Sequence, residues 1–599
     1  MPYALKTGDI AGAVVAVVKD GQILTTRGYG YSDVATHAPV DPAVTLFRPG
    51  SVSKLVTWTA VMQQVEQGKI DLDADVNRYL DFKIPPRDGK PVTMRNLMQH
   101  TAGFEEQAKD IMSGDRKKTP TFDVLLKRWT PTRIYDAGST PAYSNYGASL
   151  AGYVVQRVSG EPFDSYVEKH IFVPLGMMHS TFRQPLPAAL APLMSKGYSV
   201  ASKDSTPFEI VGPSPAGSLS SSGEDMARFM IAHLQDGSYQ GNRILQPATA
   251  AKMHDSPLTF LPPLNRMELG FFETNINGRE VIAHLGDTQN FHSSLHLFLK
   301  DGVGFYVSFN SLGKGGAAGG LRGALFEDFA DRYLPGQEAD GRVDSATAAT
   351  HAAMLAGSWV NSRRAESNFI NAAGLVGQLK VGARKGELVV PLAGLNGEPR
   401  HWVEIAPFVW REKDGHQRLA AKVVDGKVVR FSFDGISPFM VFERAPWYKS
   451  GGWLLPVLLV ALAALTLTAL AWPIAAIVRR RYGARLELDQ RSLRAFRLSR
   501  LAAIAIVGAM VCWALAIGVL LSDINKLNAS TDPLIRILQI VGAIAFIGGA
   551  AILLWHLWIV WSGRRRWPAR VWSIVLALSG LVVLWVAIAF KLISLGVNY

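Results

Sequence analysis

The sequence predicts an α/β protein in three parts. An antiparallel sheet flanked by helices with a helical insert comes first, then a small antiparallel β module, then a four-helix transmembrane region. Three observations carry this. Strand-like runs stand at both ends of residues 1–334 while the middle reads as helix. Turn dipeptides at Lys385-Gly386, Asp414-Gly415, Asp425-Gly426 and Asp434-Gly435 punctuate residues 353–445. Four apolar runs, each long enough to cross a bilayer, fill residues 453–593.

In the first part, Ala11–Val18 and Ile23–Tyr29 flank the turn Asp20-Gly21 and read as a hairpin. Pro49-Gly50 then ends an extended segment. Leu55, Val56, Trp58, Val61, Met62 and Val65 recur at helical spacing until Gly68. Ser51 is therefore expected at a helix N-terminus, with Lys54 one turn on over the same face. The aspartates of Gly68–Asp75 mimic a calcium loop, but Val76 stands where that loop needs glycine and Phe82 where it needs glutamate, so a turn is expected. Residues 93–101 read as a short helix in which His100 is structural. Phe122–Met178 is mostly helical, broken by Pro141 and Pro174-Leu175-Gly176. A Gly/Ser loop leads to the helix Met226–Leu234. Strands return at Glu280–His284, Phe291–Leu299 and Gly304–Asn310, and the helix Leu321–Tyr333 closes the domain. Gly313–Gly320 lacks the Gly-Lys-Ser/Thr of a phosphate loop.

Residues 335–352 are small and polar and are expected to be a linker, followed by the β module at 353–445. A small barrel or sandwich with no chemistry of its own is the natural reading, and shaping access to the Ser51 pocket is its expected role. The net charge is +13, which at first suggests nucleic acid. Residues 453–599 carry 15 Arg and Lys against 4 Asp and Glu, a net +11, so the rest of the chain holds only +2 and no nucleic-acid partner is expected. The one cysteine, Cys512, excludes an internal disulfide framework and a cysteine-rich metal site; neither metal nor cofactor is expected.

The spans are expected at about 453–478, 501–521, 535–561 and 571–590. The connection Arg479–Arg500 carries eight arginines, and Arg564, Arg565, Arg566 and Arg570 lie between the third and fourth runs. The positive-inside rule places both loops in the cytoplasm, and with that everything before Trp453, and the C-terminal tail, outside it. Trp555, Trp558, Trp561, Trp567 and Trp572 cluster as an interfacial belt does. Apart from His556 the spans hold few ionisable groups away from their ends, so a plain lipid-bilayer anchor is expected rather than a transporter. An outside domain needs an export signal, and Met1–Gly12 does not read as one; a signal and one further helix are expected to precede Met1.

Ser51-x-x-Lys54 suits a serine nucleophile, because the amine can draw the hydroxyl proton and helix-terminal N–H groups favour negative charge. Alone it equally fits a helix cap, and a second copy, Ser311-x-x-Lys314, lies in a Gly-rich loop. Tyr143-Ser144-Asn145 could relay a proton and hold an amide, or simply pack a ring and cap a helix. His284-Leu285-Gly286, just before Asp287, could bring backbone to a substrate.

Together and in this order, Ser-x-x-Lys, Tyr-x-Asn and His-x-Gly resemble the serine β-lactamase and penicillin-binding superfamily, in particular its class C branch with the related esterases and D-amino-acid peptidases. Phe47–Lys54, Leu97–Gly103, Tyr143–Gly147, Pro174–Met177 and Ser222–Phe229 look like the same family, over about residues 10–334. The resemblance implies a β-lactamase/transpeptidase-like fold and a serine hydrolase. Ser51 would form an acyl-enzyme, Lys54 and Tyr143 would manage its proton, and the N–H groups of Ser51 and Asp287 would hold the oxyanion. Asn145, His284 and Gly286 would line the substrate pocket. A third motif of His-Leu-Gly in place of Lys-Thr-Gly removes a firm cation for a substrate carboxylate, which favours peptidase or esterase action over β-lactam hydrolysis. The 353–445 module resembles the lipocalin-like modules that follow some of these catalytic domains. A small-molecule or peptide substrate, such as one with D-residues, and a periplasmic position at the bacterial inner membrane are implied. The rivals are a penicillin-binding sensor that acylates and stalls, and a transporter carrying an inactive hydrolase domain.

Overall fold

The computed structural model describes every residue except 337–339, 393–398 and 564, so parts of the expected linker and β module, and Arg564, lie outside the described residues. The chain divides into two compact units, one of residues 1–356, 361–363 and 381–443 and the other of 357–360, 364–380 and 444–599.

In the first unit a short helix α1 (Pro2–Gly8) precedes the strands β1 (Gly12–Lys19), β2 (Gln22–Asp33) and β3 (Ala38–Pro39). Strands β4 (Phe272–Glu273), β5 (Ile282–Asp287), β6 (His292–Phe298) and β7 (Val303–Phe309) come from the far end of the segment. They form one sheet in the order β4-β5-β6-β7-β1-β2-β3, with Ala13 opposite Phe309 and Lys19 opposite Val303. The sheet is thus built from both ends of the segment. β1 is apolar without alternation because both its faces are covered. Val14, Ala16 and Val18 join the core that contains Trp58 and Met230, while Ala13 and Val17 pack with Phe305, Phe326 and Ala330.

The covering helices are α2 (Ser53–Glu66), α3 (Asn145–Ser159), α4 (Gly223–Leu234) and α5 (Ala317–Tyr333). Helix α4 starts three residues before the expected Met226, because Ser222 caps it by accepting the Asp225 N–H at 3.2 Å. Residues 129–144 are not helical, in keeping with Pro131 and Pro141, which lack N–H donors. His284 does not end its strand as expected. β5 continues to Asp287, pairing Gly286 with Ser293 and Asp287 with His292.

Residues 345–352, expected as linker, and 353–355, expected to begin the β module, form helix α6 (Ser345–Leu355), capped by the Asp344 carboxylate on the N–H groups of Ala346 and Thr347. Eight strands then close into a barrel: β8 (Gly357–Asn361), β9 (Leu379–Arg384), β10 (Glu387–Val389), β11 (Trp402–Ala406), β12 (Val409–Glu412), β13 (Arg418–Val424), β14 (Lys427–Phe433) and β15 (Phe442–Arg444). Lys385, Asp414 and Asp425 take the positive φ, 53°, 59° and 50°, that their turns require. Within the first unit this module packs on the hydrolase segment. Val409, Ala420 and Val441 cluster with Leu261 and Leu264, and Asn265 N–H donates to Asp434 at 2.9 Å.

The second unit contains four long apolar helices: α7 (Gly451–Arg481), α8 (Gln490–Ser522), α9 (Ala529–Ser562) and α10 (Trp567–Ala589), of mean hydropathy 2.4–2.6 in their most apolar windows. Each is long enough to cross a membrane. Helix α8 starts well before the expected Leu501. Asp489 caps it on the N–H groups of Arg491 and Ser492, so much of the arginine-rich connection is helical.

His233 and His254 are buried in the first unit, Nδ1 to Nε2 at 2.9 Å, with Thr59 Oγ1 3.2 Å from His233 Nε2. Burial pushes His254 down to about 4 from 6.5, and burial with His254 beside it pushes His233 well below its ordinary range. Between these values the unfolded chain binds the proton and the fold does not. Stability is therefore expected to fall as pH drops from about 6.5 to about 4, by at most ~1.4 kcal/mol per unit for each such histidine. Thermal melts across that range should show the fall, and His254→Gln should flatten part of it. Equal melting temperatures at pH 7 and 4.5 would contradict it.

Candidate active site

Ser51 lies in a single 3₁₀ turn, Gly50–Val52, that runs directly into α2. Gly50 makes this possible with φ 55°. The segment before it is fixed by Phe47 and Ser221, which exchange backbone hydrogen bonds at 2.9 and 3.0 Å.

Lys54 is fully buried one turn later. Its Nζ lies 3.0 Å from Ser51 Oγ, 2.8 Å from Asn145 Oδ1 and 2.7 Å from the Ala216 carbonyl. Asn145 Oδ1 and the carbonyl can only accept. They therefore take two N–H bonds, and a neutral amine is left with its lone pair facing the Ser51 hydroxyl. Burial first, and the nearby Arg363 charge second, push the Lys54 amine well below its ordinary range, with Glu106 opposing.

Tyr143 stands on the extended segment before α3. Its hydroxyl hydrogen-bonds Ser51, and its ring centroid lies 4.8 Å from Lys54 Nζ. Burial raises the phenol above its usual value, offset in part by the Ser51 bond and by Arg363. The structure thus gathers Ser51, Lys54, Tyr143 and Asn145 in one cleft.

The other expected residues lie on β5. The His284 ring is 6.3 Å from that of Tyr143. Its Nδ1 donates to the Leu285 carbonyl at 2.6 Å, which leaves Nε2 as an acceptor with no hydrogen-bond partner among the described residues. Burial above all lowers His284 to about 3, so the imidazole is neutral. Gly286 is a contact point. A Cβ there would fall 1.9 Å from the Pro49 carbonyl oxygen and 2.8 Å from Ser51 N. A Cβ on Gly50 would fall 2.6 Å from Asp287 N. The backbones of Ser51 and Asp287 therefore meet where only two glycines fit. The Asp287 carboxylate is held by His292 Nδ1 at 2.7 Å and Arg322 Nη1 at 2.9 Å. Burial alone would raise its carboxyl, but those two partners hold it below the usual range.

Sequence reasoning missed several participants. His100, expected to be structural, is buried with its ring 4.2 Å from that of Tyr143, and its Nδ1 accepts the Ser144 N–H at 3.3 Å. Its φ of 52°, unusual for a non-glycine residue, was a signal visible only in the backbone. Arg322 also bonds the carbonyls of Gly286 and Ser293, fixing the end of β5. The β module reaches the site as well. Tyr143 N–H donates to the Phe439 carbonyl at 3.0 Å, the Phe439 ring lies 5.6 Å from the Tyr143 ring, and Ala142 bridges Met440. Ser362 Oγ donates to the Pro141 carbonyl. Nothing in the local sequence of 361–363 or 439–440 signals this. No cluster able to hold a metal occurs among the described residues.

A family model described as Beta-lactamase matches residues 4–327, more than half of the chain. The chain belongs to the β-lactamase family. It is 32% identical over 224 residues to "Putative penicillin-binding protein PbpX" of Bacillus subtilis (strain 168), covering 36% of this chain and 52% of that one. It is 26% identical over 316 residues to Protein flp of Staphylococcus aureus (strain MW2), covering 51% of this chain and 61% of that one. The chain therefore spans between half and two thirds of the length of these relatives. Among solved structures, that of SurE superposes with a TM-score of 0.51 at 18% identity, over 74% of this chain and 97% of that one. This likeness concerns the fold, and its extent exceeds the β-lactamase family segment alone.

Proposed function

We propose that this β-lactamase-family protein is a membrane-anchored serine hydrolase that forms an acyl-enzyme on Ser51 and cleaves amide or ester bonds outside the cytoplasm. The observation that carries the reading is the Lys54 amine, fully buried, 3.0 Å from Ser51 Oγ, with its two other contacts on pure acceptors. Lys54 takes the Ser51 proton as Oγ bonds to the substrate carbonyl carbon. The N–H groups of Ser51 and Asp287 bind the resulting oxyanion. The C–N or C–O bond then breaks as Tyr143 protonates the leaving group, and Lys54 returns a proton to Tyr143. Water repeats the sequence to free the acid. Asn145, His284 and Gly286 line the pocket.

A neutral His284 offers no cation to a β-lactam carboxylate, which supports peptide or ester substrates, D-residue peptides among them, over β-lactams. The arginine-rich connections support a cytoplasmic position for those loops, and with it a periplasmic catalytic domain at a bacterial inner membrane. The test is covalent labelling with a fluorophosphonate and with a fluorescent penicillin. Wild type is expected to label with the fluorophosphonate and to release by turnover any penicillin it takes up, and Ser51→Ala is expected to stay dark. Equal labelling of both forms would remove the nucleophile assignment; a penicillin label that never decays would indicate a sensor instead.

A further inference from the structure

The β module brings a charged residue to the catalytic tyrosine. Arg363 follows β8 and belongs to the same compact unit as the hydrolase segment. Its guanidinium lies 4.9 Å from the Tyr143 ring centroid. Glu106 clamps it through both carboxylate oxygens, Oε2 on Nε and Oε1 on Nη2, the latter at 3.1 Å. Lys54 Nζ lies 4.8 Å from the same centroid, so the two basic groups are within about 10 Å of each other across one buried ring.

Two cations so placed in a poorly screened interior repel by about 1–2 kcal/mol, which favours loss of a proton from one of them. Arginine does not deprotonate in proteins, whereas a buried lysine readily does. Glu106, which opposes the effect, is engaged by Arg363 itself. The other groups facing Lys54 do not restore its charge. From its own turn comes Ser51, from the 143–145 segment Tyr143 and Asn145, and from the 213–217 loop the Ala216 carbonyl, all uncharged. His100 and His284 are buried and neutral. Asp287, on β5, is held by His292 and Arg322.

We infer that Arg363, carried on the β module, is a positioning residue of the hydrolase site: clamped by Glu106 against the Tyr143 ring, it is a fixed charge that adds to burial in keeping Lys54 a neutral base. Residues 361–363 of the module then tune the electrostatics of the hydrolase site. The order of effects on Lys54, burial first, Arg363 second and Glu106 in the opposite sense, agrees with this geometry.

The inference rests on the hydrolase reading, and the two can fail separately. The experiment is the rate of fluorophosphonate labelling of Ser51 against pH, on the full chain in detergent, for wild type and three variants. Wild type should show an acidic limb where Lys54 becomes protonated. Arg363→Gln should move that limb up by about one pH unit, a tenfold slower rate on the limb, with the alkaline plateau within a few-fold of wild type. Glu106→Gln should move it down, since an opposing charge is removed. Arg363→Lys, which keeps the charge, should stay close to wild type. Should Arg363→Gln fail to fold in a thermal melt, the opposite shift of Glu106→Gln and the retained position of Arg363→Lys decide. A limb unmoved by Arg363→Gln, or moved as far by Arg363→Lys, overturns the inference while leaving the hydrolase intact. Absence of any label on wild type removes the hydrolase reading and this inference with it.

Discussion

Lys54→Met is expected to slow acylation of Ser51 by about 10²–10⁴-fold, the usual range for a general base. Methionine keeps the length and apolar stem of the side chain but removes the lone pair 3.0 Å from Ser51 Oγ. The hydroxyl must then attack as a neutral alcohol, or give its proton to Tyr143, whose phenol is raised by burial and already hydrogen-bonded to Ser51. Lys54→Arg sharpens the test. Arginine supplies a cation and hydrogen bonds but no base at neutral pH, so it should be as slow as methionine. If positive charge alone were what the site needs, arginine would rescue. Fluorophosphonate labelling rates at pH 7 and 9, beside melts showing that each variant folds, check the prediction. A rate within tenfold of wild type for either variant assigns the proton to another group.

Gly286→Ala is expected to cost about 10²–10³ in acylation, the usual loss when one oxyanion donor is removed. Here the loss comes from geometry rather than from deleting a group. The new Cβ would sit 1.9 Å from the Pro49 oxygen and 2.8 Å from both Ser51 N and Val52 N, and none of these backbone atoms can swing aside as a flexible side chain does. Either β5 or the 3₁₀ turn must retreat, which separates the nucleophile from Asp287 N. A lower melting temperature should accompany the rate loss, since overpacking costs roughly 1–3 kcal/mol. Gly50→Ala should behave alike, as it meets Asp287 N at 2.6 Å and is strained at its φ of 55°. Labelling of Gly286→Ala at the wild-type rate would show that this contact is not needed.

Much of the first domain is legible because its signals are local. The Asp20-Gly21 turn between two apolar runs specifies the β1–β2 hairpin, and the spacing of Leu55, Val61 and Val65 specifies α2. Ser51 and Lys54 are one helical turn apart, so their meeting follows from the chain itself. Boundaries suffered where a side chain intervened. Ser222 starts α4 early, and Asp344 and Asp489 cap helices where a linker and an open loop were expected. The strand expected over Glu280–His284 runs on through Gly286 to Asp287, because pairing with β6 carries it there.

What the sequence determined by itself is the class of the protein. Two apolar ends around a helical middle make one sheet, turn dipeptides space the β module, and four apolar runs make four long helices, because each rests on periodicity that neighbouring residues carry. Only the tertiary structure decided which residues surround the Ser51 hydroxyl. Asn145 and Ala216 reach Lys54 across 91 and 162 residues, and Arg363 meets Glu106 across 257. Contacts at such separations leave no local pattern; they exist because the packed sheet and barrel bring those segments together, and burial then fixes which groups keep their charge.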